Sequence, residues 1–191
     1  MPGRQAKILS DRQVESLLLF ASSTRNPDRD KLIVLLSVKA GLRAAEIAKL
    51  TWEMVFDPSG DIGRVIELRN RAAKKGSGRL IPLHPGLRAA LVAWRRMTTD
   101  TGPIIRSERG GAMRPVSIVN WFAIAYRAVG LEGCSSHSGR RTFITRAARL
   151  VHQAGGSLRD VQLLAGHRSI QTTQRYIDGD SDVQRKLVAM L

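Results

Sequence analysis

The sequence has little cysteine, few acidic residues and no long apolar run. Cys134 is the single cysteine among 191 residues, which excludes a disulfide framework and a zinc site built from several cysteines. No apolar stretch approaches the roughly 18 residues that a membrane span needs, and the first residues lack the apolar core of a signal peptide. We therefore expect no membrane association and a reducing, cytoplasmic location.

The shortage of acids leaves a strong positive charge. Lys and Arg number 31 against 16 Asp and Glu, a formal net charge of +15. The stretches 64–96 and 137–176 are rich in basic residues, and each contains one acid, Glu67 and Asp160 respectively. This distribution favours one continuous positive surface after folding and a polyanionic partner. The alternative is two ordinary solvated faces.

Helical periodicity dominates the chain and is interrupted by one short strand-like region. A capping box at Ser10–Gln13 opens the first predicted helix. Strand-like segments at 52–56, 65–68 and 79–83 are separated by turn signals. The pattern predicts a mainly α fold with a small three-stranded antiparallel sheet, an α+β class. We expect one domain over 1–191, with an extension over 1–9 and a tail helix over 180–191.

Two pairs of polar residues are spaced so that they share a helix face. His137 and Arg140 are three residues apart, and an imidazole beside a guanidinium suits a phosphate. The alternative is a polar helix N-terminus on the surface. Arg43 and Glu46 have the same spacing, so Glu46 is expected to orient Arg43, unless the two form an ordinary surface ion pair.

Tyrosine is scarce as well. Tyr126 lies in an apolar helical segment and is expected in the core. Tyr176 follows a polar segment, where a tyrosine is usually a surface residue. Taken singly, neither tyrosine predicts catalysis.

The order of the polar residues along the chain resembles the catalytic domain of the tyrosine recombinases, or phage integrases. The segments that carry the resemblance are GLRAAEIAKLTW at 41–52, Lys74 followed by RLIPL at 79–83, HSGRRTF at 137–143 and LAGHRSIQTTQRY at 164–176. Each motif is weak alone, but all occur in order over nearly the whole chain.

The resemblance implies that the chain cuts and rejoins DNA by transesterification, as an integrase or other site-specific recombinase. Tyr176 would attack the scissile phosphate and form a 3′-phosphotyrosyl link. Arg43 and Arg140 would clamp the non-bridging oxygens, and His167 would bond the phosphate. His137 would act as general base and Lys74 would protonate the leaving 5′-oxygen.

This chemistry agrees with the residue types. A free phenol has a pKa of about 10 and is a poor nucleophile at neutral pH, so it needs a base and a cationic surrounding. Preplaced donors would meet the charge that develops on the phosphorus oxygens. The sequence lacks a convincing carboxylate cluster beside these residues, so we expect no metal and no nucleotide cofactor.

The resemblance also implies partners. We expect double-stranded DNA as substrate, a homo-oligomer (a tetramer) on DNA, accessory DNA-binding proteins, and a nucleoid location for a bacterial, phage or plasmid protein. The expected further DNA contacts are Lys75, Arg79, Arg141, Arg168 and Arg175.

The chain departs from the family pattern in two places, and the course of its tail is open. Arg141 stands where many relatives have His. About ten residues precede the first predicted helix, so we expect the usual N-terminal core-binding domain to be missing. The tail over 180–191 either passes to a neighbouring subunit, as in relatives, or folds back on its own domain.

Three other functions remain open at this point. Residues 157–176 also suit a helix-turn-helix, in which Arg168, Gln171 and Gln174 would read bases without catalysis. A zinc or hydrolytic site would have to use Cys134 and the histidines, but no motif with zinc-ligand spacing occurs. A relaxing topoisomerase would share the tyrosine chemistry without strand exchange.

Overall fold

The computed structural model describes residues 6–70, 72, 78–176 and 188–190. These residues form two strands, β1 (Val65–Leu68) and β2 (Arg79–Pro82), and eight longer helices: α1 (Asp11–Ser22), α2 (Pro27–Ala40), α3 (Ala44–Lys49), α4 (Pro85–Arg95), α5 (Pro115–Ala128), α6 (Ser138–Leu150), α7 (Leu158–Ala165) and α8 (Ile170–Gln174). Within these ranges, the helices are all too short or too polar to traverse a bilayer.

The helix ends follow the local signals in the sequence. The backbone N–H of Gln13 donates to Ser10 Oγ at 3.3 Å, and the backbone N–H of Ser10 donates to Gln13 Oε1 at 2.9 Å. This reciprocal pair is the predicted capping box, and it starts α1. Pro27 occupies the first turn of α2, where its missing N–H costs nothing. Gly41 ends α2 in the left-handed conformation at φ +63°.

The mainly helical class with a small antiparallel sheet is confirmed, but the described residues form two strands where three were expected. Val65 lies opposite Pro82, and Leu68 lies opposite Arg79. The expected first strand, at 52–56, is instead a 3-10 turn over Trp52–Met54. The preceding Thr51 makes a single bridge with Pro103. The backbone N–H groups of Trp52 and Ile104 make the bonds that flank this bridge. Beyond it, the N–H groups of Met54 and Val55 donate back to the carbonyls of Thr51 and Trp52, so the pairing does not extend into a strand.

The core has two parts. The larger part centres on α2, whose Leu32, Ile33 and Leu36 are fully buried among residues of the neighbouring helices. Tyr126 lies in this part, as predicted, and burial raises the pKa of its phenol. The smaller part joins α6 to α7 and includes Tyr176 at its edge. Bonds from Arg140 to the carbonyls of Gly41 and Ala165 bring the segments at 41–46, 137–143 and 164–176 to the same side of the molecule.

Candidate active site

Arg43 is placed by a tight turn between two helices. Gly41 ends α2, and Arg43 caps α3 with extended backbone. Arg43 Nη1 donates to Glu46 Oε1 at 2.8 Å, and the backbone N–H of Arg43 donates to Glu46 Oε2 at 3.0 Å. The side chain of Glu46 is 1% exposed and that of Arg43 is 22% exposed. Glu46 therefore orients Arg43 from inside the protein and is not part of a surface ion pair.

A second arginine, Arg79 of β2, shares the same carboxylate. Its Nη1 and Nη2 donate to Glu46 Oε1 and Oε2 at 3.2 and 3.1 Å, and its Nε donates to the carbonyl of Leu164 at 2.9 Å. Burial raises the pKa of the Glu46 carboxyl, but bonds from Arg79 and Arg43 outweigh this and hold it below its ordinary value. Glu46 is thus a carboxylate that holds two guanidinium groups.

Arg79 was expected on the DNA-facing surface, and the structure places its side chain elsewhere. The side chain is 5% exposed, and its guanidinium ties β2 to α3 and to the end of α7. Gly166 makes this approach feasible, because a Cβ there would lie 2.9 Å from Arg79 Cδ. Arg79 therefore stabilises the site from within the protein, through its bonds to Glu46 and Leu164.

Arg140 of α6 is buried and bonded on two sides. Its Nη1 donates to the carbonyl of Gly41 at 2.7 Å, and its Nη2 donates to the carbonyl of Ala165 at 2.6 Å. Burial, reinforced by the charges of Arg43 and Arg79, lowers the pKa of Arg140 to about 10. The group therefore stays charged at neutral pH, and it joins the turn before α3 to the turn after α7.

His167 completes this connection. Arg140 Nη2 lies 3.1 Å from His167 Nε2, and His167 Nδ1 lies 2.9 Å from Thr173 Oγ1. Burial, followed by the charges of Arg140 and Arg43, lowers the pKa of His167 to about 4. The imidazole is therefore neutral at physiological pH.

Tyr176 lies directly beside this imidazole. Its ring stacks on His167 with centroids 5.3 Å apart and planes at 26°. The guanidinium carbon of Arg141 lies 5.8 Å from the centroid of the tyrosine ring. The carbonyl of Tyr176 accepts from Thr145 Oγ1 at 3.3 Å, which attaches this segment to α6. The structure thus brings Arg43, Arg140, His167 and Tyr176 together.

The remaining predicted residues are distributed around this cluster. His137 is exposed at the N-terminal end of α6, one turn before Arg140. Arg168 and Arg175 are exposed, and Arg141 is half-buried. Lys74 and Lys75 lie outside the described residues.

An open cleft of about 490 Å³ lies beside the cluster, lined in part by Arg79, His167 and Arg168. Its walls therefore carry cationic groups next to the buried imidazole. In the described parts of the chain, no three His, Cys, Asp or Glu side chains come together in a way that could hold a metal ion.

Sequence reasoning missed the supporting roles of Thr173 and Arg79. A signal for Arg79 was available: side chains alternate along a strand, and Arg79 shares a face with Ile81, which is fully buried. Thr173 lies on α8 three residues before Tyr176, and its backbone carbonyl accepts from the backbone N–H of Tyr176 at 3.0 Å.

Known proteins of similar sequence belong to the family that the motifs resemble. The model of the Phage integrase family matches residues 7–182, and the chain belongs to this family. A tyrosine recombinase XerC from Rhizobium meliloti (strain 1021) is 31% identical over 94% of this chain and 56% of its own length. Tyrosine recombinase XerA from Pyrococcus horikoshii is 29% identical over 92% of this chain and 58% of its own. The chain thus spans little more than half of these relatives.

Solved structures share the fold. A crystal structure of XerA recombinase superposes with a TM-score of 0.75 at 22% identity, covering all of this chain and 65% of that one. The catalytic domain of bacteriophage HP1 integrase gives a TM-score of 0.66 at 23% identity, covering 91% of this chain and 88% of that one. A lambda integrase dimer bound to a COC′ core site gives 0.72 at 21% identity, covering 93% and 49% respectively.

Proposed function

We propose that this chain is the catalytic domain of a site-specific DNA recombinase that works through a phosphotyrosyl intermediate. The observation that carries the proposal is the cluster of Arg43, Arg140 and His167 beside the phenol of Tyr176. Family membership and the tyrosine recombinases among its relatives support the same function.

The arginines would act as the phosphate clamp. The bonds of Arg140 use Nη1 once and Nη2 twice, so Nε–H and the second N–H of Nη1 have no bonding partner among the described residues. Arg43 keeps 22% of its side chain exposed while Glu46 holds it in place. Both guanidinium groups are therefore fixed before a phosphate arrives, which is the arrangement that stabilises developing charge most effectively.

The proposed reaction begins with attack by Tyr176 Oη on the scissile phosphorus. The bond from phosphorus to the 5′-oxygen breaks, and its electron pair leaves with that oxygen. His137 would take the phenolic proton, and Lys74 would supply the proton that the leaving oxygen gains. Resealing reverses the step: a 5′-hydroxyl attacks phosphorus and the phenol leaves. Because the phosphotyrosyl bond conserves the energy of the phosphodiester, no nucleotide is consumed.

The proposal extends to the partners. Structural relatives include integrases in complex with DNA and a lambda integrase dimer on a core site, which supports duplex DNA as substrate and more than one protomer on it. We propose assembly as a tetramer with accessory DNA-binding proteins, and residence in the nucleoid. Lys75, Arg141, Arg168 and Arg175 would add backbone contacts, which make binding steeply dependent on salt.

Covalent trapping on DNA tests the proposal. The purified chain is incubated with a library of nicked duplexes that carry randomised sequence around the nick, and the mixture is denatured. DNA that stays attached to protein is then recovered. We expect a covalent adduct that maps by mass spectrometry to Tyr176 and whose yield is unchanged by EDTA.

The chain offers a matched control, because Tyr126 and Tyr176 are its two tyrosines. Tyr176→Phe is expected to abolish the adduct, and Tyr126→Phe, which alters a buried core residue, is expected to keep it. An adduct that survives Tyr176→Phe, or a wild-type chain that yields none across the library, would refute the proposal. Strand exchange between two marked duplexes then separates recombination from simple relaxation.

A further inference from the structure

Helix α6 contacts Tyr176 at two points that lie one turn apart. The guanidinium carbon of Arg141 lies 5.8 Å from the centroid of the tyrosine ring, and Thr145 Oγ1 donates to the backbone carbonyl of Tyr176 at 3.3 Å. Residues four apart share a helix face, so one face of α6 contacts both the ring and the backbone of this tyrosine. We propose that Arg141 is a positioning residue, which holds the phenol of Tyr176 against His167 before DNA arrives.

Arg141 and the preceding Arg140 have different surroundings. Arg140 is 3% exposed and donates to the carbonyls of Gly41 and Ala165, whereas Arg141 is half-buried and lies over the tyrosine ring. Successive residues of a helix project about 100° apart, so one helix can direct the two side chains to different partners. Adjacent residues of α6 therefore provide a clamp for the phosphate and a contact to the phenol, and the helix sets the position of the ring relative to the clamp.

The ring depends on such contacts because the backbone does not fix it. Tyr176 follows the residue that caps α8, and its backbone N–H donates to the carbonyl of Thr173 at 3.0 Å, which leaves the side-chain torsions free. The ring itself stacks on His167, with centroids 5.3 Å apart. A guanidinium within about 6 Å of a ring centroid is attracted by the negative face of the ring. The two contacts together restrict the ring to one orientation, so less ordering remains to be done when the phenol attacks.

This role differs from the backbone contact that Arg141 would also make with DNA. Loss of a phosphate contact weakens binding and lowers the slope of its salt dependence by about one. Loss of a contact that positions the phenol lowers the rate of the reaction after DNA has bound. Binding measured at several salt concentrations, together with the rate at saturating DNA, therefore separates the two roles.

NMR of labelled tyrosine reads the position of the ring without DNA. In a Tyr126→Phe parent, Tyr176 is the one tyrosine left in the chain, so every tyrosine resonance belongs to it. The stacked imidazole displaces the ring resonances from their values in the unfolded chain. We expect Arg141→Gln to reduce this displacement. Arg141→Lys should reduce it less, because a cation remains near the ring although the planar guanidinium is lost.

The catalytic consequence rests on the proposed function and is measured as the rate of adduct formation at saturating concentrations of the trapped duplex. We expect Arg141→Gln to slow it about threefold to tenfold, and Arg141→Lys to keep more of the rate. Arg127→Gln is the matched control, because it removes the same charge from an exposed position on α5; it should leave both readouts unchanged. If Arg141→Gln does not fold, Arg141→Lys is compared with Arg127→Lys.

Tyrosine resonances that are the same in the parent and in Arg141→Gln would overturn the inference. A variant that binds DNA more weakly but reacts at the parental rate once bound would also overturn it, because Arg141 would then act on DNA alone. Failure of the proposed function gives a different result. In that case the parent forms no adduct, while the NMR measurement still decides what Arg141 does to the ring of Tyr176.

Discussion

Arg140 donates from Nη2 to Nε2 of His167 at 3.1 Å, so a buried cation and a neutral imidazole form one unit. The unit is held from three places: the turn after α2, the end of α7 and α8. The ring of Tyr176 stacks on the same imidazole. A change at any of these places is therefore expected to affect the position of the arginine relative to the phenol.

Replacement of the buried arginine by lysine should impair the chemistry. Arg140→Lys keeps a positive charge but loses the planar fork that bonds Gly41, Ala165 and His167 together. We expect the rate of adduct formation to fall about 100-fold or more. Arg127→Lys, an exposed position on α5, is the control and should stay near the wild-type rate; equal rates for both variants would show that the fork is dispensable.

Acidification should destabilise the fold through His167. In the unfolded chain the His167 imidazole has its ordinary pKa of 6.5, whereas in the folded protein its pKa is lowered to about 4. Between these values the unfolded state binds more protons, so stability falls as pH falls. From pH 7 to pH 5 we expect the wild type to lose about 2 kcal/mol more than His167→Gln.

Urea unfolding of both proteins at the two pH values measures this difference. The other histidines are present in both proteins and cancel. The pKa of Glu46 lies below 4.5, so stability lost by protonating that carboxylate belongs to a more acidic range. Parallel losses in wild type and variant would show that His167 is not held neutral by its surroundings.

Glu46 should contribute far more stability than a surface carboxylate. Glu46→Gln removes the negative charge that two largely buried guanidinium groups share, and we expect a loss of about 3 kcal/mol or more in the free energy of unfolding. Glu108→Gln breaks an ion pair with Arg25 whose side chains are 83% and 52% exposed, and it should cost less than about 1 kcal/mol. Denaturant unfolding compares the two; similar losses would contradict the buried network.

Gly41 should be intolerant of a side chain for two separate reasons. Its φ is +63°, and an added Cβ would collide with the ring of Phe143. Gly60 has φ +81° with open space around it, so Gly60→Ala should cost about 1 kcal/mol from the backbone alone. Gly41→Ala should cost roughly 1–3 kcal/mol more because of the overlap, and it should also slow adduct formation, since the Gly41 carbonyl holds Arg140. Thermal or denaturant unfolding measures both variants. If Gly41→Ala and Gly60→Ala lose the same free energy of unfolding, the overlap with Phe143 adds no cost.

Local signals in the sequence predicted much of this site. The spacing of Arg43 and Glu46 predicted their contact, and the capping box at Ser10–Gln13 predicted where α1 begins. These features depend on residues within one or two turns of each other, so periodicity and cap chemistry are sufficient to find them.

Contacts between distant segments were beyond the same reasoning. Arg79 reaches Glu46 and Leu164 across 33 and 85 positions, and no local pattern specifies those partners. The third strand failed for a different reason: a buried Trp52 and Met54 two residues apart fit a strand, but 3-10 bonds from Met54 and Val55 back to Thr51 and Trp52 turn the chain there.

The central claim is that residues distant in sequence act on one phosphate, and a structure of the chain on the duplex recovered by trapping tests it most directly. The decisive measurement is the set of distances from the scissile phosphate to Arg43, Arg140 and Tyr176. Our account predicts that both guanidinium groups bond non-bridging oxygens of that phosphate, with Tyr176 Oη in line with the 5′-oxygen. The account is contradicted if Arg43 and Arg140 contact two different phosphates, or if the Tyr176 phenol points away from the scissile phosphate.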